Sequence, residues 1–512
     1  MADTARRTIA DVLAAGADDA PALMAEGAAP MSHGALRRLV ETTGAALAGH
    51  GIGPGDRVAI VLPNGAEMAA AFLAISACAT AAPLNPSYRA EEFAFYLSDL
   101  GAKLLVVAEG ADSPALAVAA EMDVPLVRLR PTPERGAGSF TLPFADDTTD
   151  GAFAPAGPDD IALVLHTSGT TSRPKIVPLA QRNLAASAGN IARSLAFTAG
   201  DVGLGIMPLF HIHGLIAGVL APLSAGGAVH CTPGFNALSF FATFEKVQPT
   251  WYSAVPTMHQ AILGRARHNA KAVEGNRLRF VRSSSASLPP QVLRQLEETF
   301  GAPVIEAYGM TEAAHQMASN PLPPGERRPG SVGVAAGPAI RVVDTRGDPV
   351  LAGTSGEIVI SGGNVMAGYE NNPAANAEAF TPDGWFRTGD QGILDASGYL
   401  TITGRLKEII NRGGEKISPR EVDEVLLDHP HVAQCVTFAV RHAKLGEDVA
   451  AAVVLAAEAS ADESALRAFV AERLADFKVP RRILVLEEIP KGATGKIQRI
   501  GLAAKLGLEP QP

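Results

Sequence analysis

The feature that most constrains this chain is the alternation of short β-rich runs with helical stretches over roughly its first 400 residues. Val, Ile and Leu concentrate in the runs RVAIVLP, KLLVVAE, IALVLHT, LRFVRSS and PVIEAYG. Runs that are apolar along nearly their whole length are typical of parallel strands buried on both faces. The pattern therefore predicts an α/β fold, with a large N-terminal domain of stacked βα sheets. The later runs IRVVD and GEIVI predict a small β subdomain.

The sequence pattern changes near Gly404, and this change predicts a second domain. The run GYLTITGR leads into the charged LKEIINRGGEK and then into the helical segments SPREVDEVLL and ADESALRAFVAERLA. Ser418 and Glu421 have the spacing of a capping box, and Pro419 suits the first helical position. Because 512 residues exceed what one core usually supports, we expect a first domain over residues 1–405 and a small α+β C-terminal domain over residues 406–512.

Charge and cysteine usage narrow the possible partners. A formal net charge of -10 disfavours nucleic acid and anionic membrane surfaces, whose phosphates need clustered Lys and Arg. The most apolar segment, residues 68–84, is interrupted by Ser76 and Thr80, so it predicts a buried helix rather than a membrane span. There is no signal-peptide pattern and no CxxC pair among the three cysteines, which favours a reducing cytoplasm.

A candidate phosphate-binding loop directly follows the run IALVLH. It reads Thr167, Ser168, Gly169, Thr170, Thr171 and, after three further residues, Lys175. Hydroxyl and backbone N–H groups donate to phosphate oxygens, glycine lets the backbone come close, and lysine adds a positive charge. Taken alone, such a string is also compatible with a polar turn. The Walker pattern GxxxxGK[ST] is absent, so a P-loop nucleotidase loses its main support.

The string TSGTTSRPK resembles the signature loop of the adenylate-forming superfamily, which contains acyl-CoA synthetases, luciferases and adenylation domains of peptide synthetases. Further motifs follow in that family's order: YGMTE at 308–312, WFRTGD at 385–390, GRLKEII from 404 and PKGATGK at 490–496. The resemblance covers essentially the whole chain. It implies that a carboxylic acid is activated as an acyl-adenylate and then passed to coenzyme A, with ATP and coenzyme A as co-substrates and Mg²⁺ as cofactor.

The resemblance also assigns roles to matching positions. Thr311 is expected at the α-phosphate and Glu312 at the magnesium ion, for which a hard carboxylate oxygen is suitable. Asp390 is expected to accept hydrogen bonds from the ribose hydroxyls, with Arg405 nearby. The complete ATP-binding set implied in this way is Thr167, Ser168, Gly169, Thr170, Thr171, Lys175, Ser285, Ala286, Ser287, Glu306, Ala307, Tyr308, Gly309, Thr311, Asp390, Arg405 and Lys496.

Three assignments fall on the C-terminal domain, which the resemblance implies is mobile. Lys496 resembles the family's catalytic lysine, whose ammonium stabilises the charge that develops during adenylation. Its surroundings are similar to those of bacterial ligases silenced by acetylation, so a lysine acetyltransferase is an expected partner. Lys407 matches the hinge between two domain poses. Arg412, Gly413 and Gly414 match the loop at the pantetheine entrance and are expected to contact coenzyme A.

The acid pocket is expected to be polar. His211, Ser285 and His315 are its predicted donors, and His211 joins Thr311, Glu312 and Lys496 in the predicted catalytic set. Buried donors suit a second anionic group and would be left unpaired by an alkyl or aryl chain. An HxH pair at 211 and 213 lacks the further ligands of a zinc site.

Long windows around PLFHIHGLIAG, PTWYSAVPT and NRGGEKISP resemble the oxalate–CoA ligase branch of plants and yeast. This resemblance implies oxalate as the acid. Malonate and other short- or medium-chain acids remain open. Loading of a carrier protein instead of free coenzyme A also remains open, because such an enzyme would share every nucleotide motif.

Overall fold

The computed structural model describes residues 6–144, 151–167, 174–456, 459–490 and 497–508. They form two compact units. The larger unit comprises Met1–Thr167, Ile176–Ala339 and Ser361–Ala377, and the smaller comprises Ser168–Lys175, Ile340–Ile360 and Glu378–Pro512. The domain boundary that we predicted at residue 405 stays a prediction.

A seven-stranded sheet contains the first apolar runs of the chain. Strands Arg57–Val61, Thr80–Pro83 and Leu104–Ala108 pair in parallel at its centre and are almost entirely buried, as their unbroken apolar character predicts. In spatial order the strands are Phe140–Thr141, Leu126–Pro131, Leu104–Ala108, Arg57–Val61, Thr80–Pro83, Ile161–Thr167 and Lys175–Ala180.

A nine-stranded sheet contains most of the remaining apolar runs of the larger unit. Its inner strands are parallel, and the pairing is antiparallel at the two edges, beyond Val304–Met310 and between Pro21–Met24 and Met31–Ser32. In spatial order the strands are Val334–Ala335, His315–Ser319, Val304–Met310, Phe280–Ser283, Trp251–Ala254, Val202–Gly205, Ala228–Cys231, Pro21–Met24 and Met31–Ser32. The carboxyl ends of its parallel strands therefore meet at one edge, where ligands bind in open α/β sheets.

Helices connect these strands, and one of them contains the apolar segment that the sequence analysis considered as a buried helix or a membrane span. Helix Ala66–Ser76 is buried on all sides, so the apolar segment that begins at residue 68 contributes to the core as predicted. In the described part of the chain, no helix combines the length and apolar character that a bilayer crossing requires. The other helices include Ile9–Leu13, His33–Gly49, Ala90–Leu100, Pro114–Glu121, Gln181–Ser194, His213–Leu220, Ala221–Leu223, Phe240–Val247, Pro256–Ala266, Ala270–Glu274, Pro290–Phe300 and Pro373–Ala379.

The smaller unit is rich in β-structure. Its four-stranded sheet follows the order Ala339–Val343, Ser355–Ser361, Phe386–Leu394 and Leu400–Arg405. Its five-stranded sheet follows the order Glu415–Ile417, Ile410–Arg412, Gly446–Leu455 and Val432–His442, with Arg482–Val485 pairing in parallel with Gly446–Leu455. Its helices include Pro419–Leu427, Glu463–Ala471 and Leu502–Lys505. The predicted fold class, α/β with a large N-terminal and a smaller C-terminal part, is confirmed.

The predicted capping box at Ser418 is wrong. Helix Pro419–Leu427 does begin directly after Ser418, but the Ser418 side chain forms no capping hydrogen bond. Its hydroxyl instead donates to the carbonyl oxygen of Thr403. Glu421 accepts a hydrogen bond from the Lys478 ammonium at 2.6 Å. Both side chains form hydrogen bonds with partners distant in the chain, so they do not form the local hydrogen bonds on which the prediction was based.

Candidate active site

The two ends of the candidate phosphate loop are strand ends. Thr167 is the last residue of Ile161–Thr167, and Lys175 is the first residue of Lys175–Ala180. The predicted loop residues Ser168, Gly169, Thr170 and Thr171 lie outside the described residues. Directly before the loop, His166 Nε2 lies 3.0 Å from Asp99 Oδ2, and the two side chains are 6% and 12% exposed. This contact holds the carboxyl end of the strand that leads into the loop.

Six of the predicted ATP-binding residues come together at the end of two neighbouring parallel strands. Strands Phe280–Ser283 and Val304–Met310 pair with Ser283 opposite Glu306. The hydroxyl of Ser284 donates to the carbonyl oxygen of Ala307 at 2.9 Å, which ties the following turn to the neighbouring strand. The residues placed side by side in this way are Ser285, Ala286, Ser287, Ala307, Tyr308 and Gly309.

The chain reverses sharply after the second of these strands. A Cβ on Gly309 would lie 1.9 Å from the carbonyl oxygen of His315, so only glycine fits there. Ala314 and His315 have φ values of +46° and +95°, a region that residues with side chains rarely adopt. Such strain persists only where the surroundings impose it, and it is frequent at functional sites. The reversal therefore fixes the position of His315, whose side chain is buried.

A buried carboxylate lies within this reversal. Glu312 belongs to the short turn Thr311–Ala313 and is 6% exposed. The hydroxyl of Tyr369 donates to Glu312 Oε1 at 2.8 Å, and the amide of Met366 donates to the Glu312 carbonyl oxygen at 2.8 Å. Both the backbone and the side chain of Glu312 are thus held in place directly after Thr311.

At the Ser285 turn is a polar cluster that is buried except for Ser285 itself, called here the Arg282 centre. It consists of His213, Ser253, Arg282, Ser285 and Gln316. His213 Nδ1 lies 3.0 Å from Ser285 Oγ, and its Nε2 lies 2.6 Å from Ser253 Oγ. One terminal nitrogen of Arg282 is 3.3 Å from both His213 Nε2 and Ser253 Oγ, and the other donates to Gln316 Oε1 at 3.2 Å. Four separate segments of the larger unit meet in this cluster.

The guanidinium of Arg282 is the dominant charge of this cluster. It is 0% exposed, and burial lowers the pKa of Arg282 to about 9, so it remains a cation at neutral pH. Within the described part of the chain it forms no ion pair with a carboxylate. Buried charges are normally paired, so a guanidinium that has no carboxylate partner among the described residues is suited to attract an anion.

Ser285 and His315, two of the three predicted acid-pocket residues, lie next to the Arg282 centre. The ring of His315 stacks on His213 with centroids 4.8 Å apart. The third predicted residue, His211, is half-buried, with its ring 4.6 Å from that of Phe210. The hydrogen bond to Ser285 comes from His213, two residues later, which the sequence analysis considered only as a metal ligand. The acid-binding role of His211 stays a prediction.

Asp390 and Arg405 form a cross-strand pair in the smaller unit. They face each other in the register of Phe386–Leu394 and Leu400–Arg405. Arg405 Nε donates to Asp390 Oδ1 at 3.0 Å, and the Asp390 side chain is buried while that of Arg405 is half exposed. The pair that the sequence predicted as neighbours is therefore present as an ion pair.

The predicted hinge and coenzyme A residues follow in the same unit. Lys407 lies in the short turn Leu406–Glu408. Arg412 ends strand Ile410–Arg412, and its Nε donates to the buried Asp448 carboxylate at 2.7 Å. Gly413 and Gly414 have φ values of +61° and +99°, which glycine adopts without strain. Lys496 lies outside the described residues, and its catalytic role stays a prediction.

A second arginine cluster lies near the position of Lys496 in the chain. It is called here the Arg499 centre and consists of Glu408, Asp423, Thr437 and Arg499. Arg499 lies 2.7 Å from Asp423 Oδ2 and 3.1 Å from Glu408 Oε2, and it donates to the Thr437 carbonyl oxygen at 2.8 Å. Burial alone would lower the pKa of Arg499, but the two carboxylates outweigh burial and raise it.

Comparison with known proteins identifies the family. A model described as AMP-binding enzyme matches residues 11–370, and one described as AMP-binding enzyme C-terminal domain matches residues 421–496. The chain belongs to the AMP-binding enzyme family. It is an AMP-forming acyl-CoA synthetase that catalyses ATP-dependent ligation of an acid to coenzyme A, as the sequence motifs predicted.

Individual members of the AMP-binding enzyme family match over nearly full length. An oxalate–CoA ligase of Arabidopsis thaliana is 47% identical over 487 residues, covering 94% of this chain and 94% of that protein. A sulfoacetate–CoA ligase of Cupriavidus necator is 40% identical over 478 residues, covering 92% of each. Among solved structures, ATP-bound MatB from Rhodopseudomonas palustris superimposes with a TM-score of 0.88 at 30% identity, covering 98% of this chain and 99% of that chain.

Sequence reasoning missed several polar residues of this AMP-binding enzyme. Ser253, Arg282 and Gln316 meet His213 from separate segments, and Arg499 reaches two carboxylates far from it in the chain. One available signal was the arginine within the apolar run LRFVRSS, because a charged residue in a fully buried strand requires a partner or a ligand.

Proposed function

We propose that the acid activated by this enzyme is oxalate, and that the overall reaction converts oxalate, ATP and coenzyme A into oxalyl-CoA, AMP and pyrophosphate. The observation that carries the proposal is the hydrogen bond between His213 and Ser285, next to the buried Arg282, which forms no ion pair with any carboxylate that the structure describes. A dicarboxylate brings a second anionic group that needs donors and a positive charge in a buried place. The name of the Arabidopsis relative supports the same acid.

The chemistry has two balanced steps. In the first, a carboxylate oxygen of oxalate attacks the α-phosphorus of ATP, and the bond to the bridging oxygen breaks so that pyrophosphate leaves. In the second, the sulfur of coenzyme A attacks the carbonyl carbon of oxalyl-AMP, AMP leaves and the thiol proton passes to solvent. We assign Thr311, His211 and Lys496 to the first step. Donors and cations there would stabilise the charge that develops on the phosphate.

Magnesium fits the residues that are present. Glu312 is a buried carboxylate, and its neighbour Thr311 adds a hydroxyl. The described residues contain no cluster of three or more His, Cys, Asp or Glu side chains that could enclose a metal. Mg²⁺ is commonly held by one or two carboxylates together with substrate phosphates, so a single Glu is sufficient. We propose that Glu312 would hold the ion, which supplies neutralisation of phosphate charge when bound.

The other predicted roles complete the proposal. Asp390 would accept hydrogen bonds from the ribose, with Arg405 nearby, and Lys407 would be the hinge of a mobile C-terminal domain. Arg412, Gly413 and Gly414 would contact coenzyme A. We also propose a cytoplasmic location, from the cysteine pattern. The remaining nucleotide contacts would come from Thr167, Ser168, Gly169, Thr170, Thr171, Lys175, Ser285, Ala286, Ser287, Glu306, Ala307, Tyr308 and Gly309.

A panel of acids tests the substrate. AMP release that depends on both ATP and coenzyme A should be fastest, at limiting acid, with oxalate rather than malonate, sulfoacetate, hexanoate or benzoate. His315→Ala should weaken oxalate use by about 2–4 kcal/mol in kcat/KM, the cost of removing a donor to a buried anion. His268→Ala, a change at an exposed histidine, is the matched control. A preference for hexanoate or benzoate in the unmodified enzyme would exclude the proposal.

Two alternatives have different readouts. Sulfoacetate also carries a second anionic group, and the Cupriavidus relative is named for it, so the panel includes it as the main competitor. Loading of a carrier protein would give acid-dependent exchange between ATP and pyrophosphate without any thioester formed on free coenzyme A. Direct detection of oxalyl-CoA separates the two acceptors.

A further inference from the structure

We propose that Arg282 is a positioning residue for acid recognition: it holds His213 in the neutral form protonated at Nδ1, so that Ser285 presents its hydroxyl hydrogen to the second anionic group of the acid. The inference rests on the proposed function for the identity of that acid. Its central claim, the protonation state of His213, is a property of the unliganded enzyme and is measured without any acid.

The first step follows from what each group can donate. A guanidinium has only donors, so the Arg282 nitrogen that lies 3.3 Å from His213 Nε2 must meet a lone pair there. A proton on Nε2 would point at this N–H, and protonation of both ring nitrogens would add a second positive charge beside a buried cation. Nε2 is therefore unprotonated. The single lone pair of Nε2 is shared by two donors: the hydroxyl of Ser253, whose Oγ lies 2.6 Å away, and the more distant Arg282 N–H, which also donates to Ser253 Oγ at 3.3 Å.

In the second step, the protonation state of His213 determines the hydrogen bond that Ser285 forms with it. With Nε2 unprotonated, the single hydrogen of neutral His213 lies on Nδ1, which donates to Ser285 Oγ at 3.0 Å. One lone pair of that hydroxyl is thereby used. Ser285 is exposed and has a φ of +71°, so its backbone turns the side chain out of the strand. The hydroxyl hydrogen remains available for a carboxylate or sulfonate oxygen.

The same guanidinium also orders the segment that carries His315. Gln316 donates through Nε2 to Ser194 Oγ at 2.8 Å and to the Ala336 carbonyl oxygen at 3.1 Å, which leaves its Oε1 directed at Arg282. Gln316 directly follows His315, and the His315 ring stacks on His213. Arg282 thus contacts the side chain that orients Ser285 and the residue that follows His315.

The charge of Arg282 gives this arrangement its selectivity. In the described part of the chain no carboxylate pairs with it, and its surroundings are buried, so its field is weakly screened. An acid with one carboxylate gains little from a second positive centre. An acid with a second anionic group gains both the Ser285 hydrogen bond and the attraction to the cation. Arg282 therefore acts on the choice of acid rather than on the nucleotide.

The protonation state of His213 is measured by ¹⁵N NMR of histidine-labelled, ligand-free enzyme, assigned with His213→Asn. The expected result is a neutral ring protonated at Nδ1 near pH 7. In Arg282→Met the ring should change tautomer or become partly protonated. A wild-type ring protonated at Nε2, or one unchanged in Arg282→Met, overturns the inference whichever acid is the substrate.

Kinetics test the consequence for the acid. Oxalate is compared with oxamate, its monoanionic analogue in which an amide replaces the second carboxylate. Arg282→Met should lower kcat/KM for oxalate about 100-fold, mainly through KM, and lower that for oxamate less than about tenfold. Arg282→Lys, which keeps the charge but not the forked donor geometry, should recover part of the loss. Equal losses for the two acids would assign Arg282 a merely structural role and contradict the proposal.

Two further variants make the test specific. An asparagine amide nitrogen approximates the position of Nδ1, whereas a glutamine amide nitrogen approximates Nε2, so His213→Asn should retain more oxalate activity than His213→Gln. Arg279→Met is the matched control, since Arg279 lies beside the same strand but is paired with Asp201 at 2.7 Å. It should leave the oxalate-to-oxamate ratio unchanged. If the panel of acids had already excluded oxalate, the NMR result would still decide the assignment of His213.

Discussion

The Arg282 and Arg499 centres each contain an arginine with little or no exposure to solvent, but the two arginines have different kinds of partner. Arg499, 23% exposed, lies within 3.1 Å of the carboxylates of Asp423 and Glu408. Arg282 is fully buried, and among the described residues its hydrogen-bond partners are His213, Ser253 and Gln316, none of which is a carboxylate. The pKa of Arg499 is raised, whereas burial lowers that of Arg282 to about 9. A paired arginine stabilises its own fold, whereas an unpaired one remains able to attract an anion from outside.

The largest expected effect is the loss of stability on breaking the paired centre. Arg499→Met leaves Asp423 buried without its cation, and we expect the smaller unit to lose about 3 kcal/mol of unfolding free energy. Chemical denaturation measures this loss. Hydrogen exchange at the Thr437 amide, which donates to Asp423 at 2.6 Å, locates it.

The control for this variant is an exposed ion pair of the same unit. Arg346→Met removes a contact with Asp344 at 3.4 Å, in which the arginine is 80% exposed. Exposed pairs contribute little, so this variant should remain much closer to the wild type. If the two variants lost equal stability, the Arg499 centre would have no special structural role.

The next effect concerns the residue three positions before Arg499. Lys496→Ala, or acetylation of Lys496, should lower acid-dependent exchange between ATP and pyrophosphate by about 100-fold, the scale of losing a positioned electrostatic group. Thioester formation from supplied acyl-adenylate should continue at nearly the wild-type rate. Unfolding free energy should not change, in contrast to Arg499→Met. Normal exchange activity in the alanine variant would remove the catalytic assignment.

An acid-sensitivity experiment addresses His259, a buried ring near the backbone of Arg282. Burial lowers the pKa of His259 to about 3, so the ring is neutral when folded and takes up a proton on unfolding below its ordinary value of 6.5. The unfolded state then binds more protons, and stability falls by about 1.4 kcal/mol for each pH unit below 6.5. His259→Gln should reduce this slope between pH 6.5 and 5, unlike His268→Gln at an exposed site. An unchanged slope would contradict the neutral buried ring.

The smallest expected effect completes the comparison. Arg282→Met replaces an unpaired buried charge with an apolar side chain of similar length, and such exchanges are often neutral. We expect unfolding free energy to change by about 1 kcal/mol or less, in spite of the large loss of oxalate activity. Denaturation of this variant beside Arg499→Met measures the contrast. A larger loss than in Arg499→Met would reverse the roles assigned to the two centres.

Sequence reasoning correctly predicted those parts of the molecule that are determined by residues close together in the chain. The runs RVAIVLP and IALVLHT are strands because unbroken apolar character survives in any buried parallel sheet. Asp390 and Arg405 face each other because a short hairpin links their strands. In both cases neighbours in the chain supply the determining interaction.

The features that sequence reasoning missed depend on contacts between residues that are far apart in the chain. In the strand Phe280–Ser283 every residue is buried, so no alternation of polar and apolar residues revealed that the Arg282 side chain is buried too. Its partners are 29, 34 and 69 residues away. The predicted capping box at Ser418 was wrong for the same reason, because the Ser418 hydroxyl donates to the Thr403 carbonyl oxygen rather than capping the helix that it precedes.

Helix His213–Leu220 has the wide turns of a π-helix, and this geometry determines which side chain the helix presents to Ser285. Such turns are rare, occur mostly as single-turn bulges within α-helices and are frequent at functional sites. One extra residue in an α-helix, which advances about 100° per residue, creates such a turn and rotates everything on one side of it. Removal of that residue would return the helix to α-helical turns and rotate His213 by about 100° relative to the rest of the helix, away from Ser285.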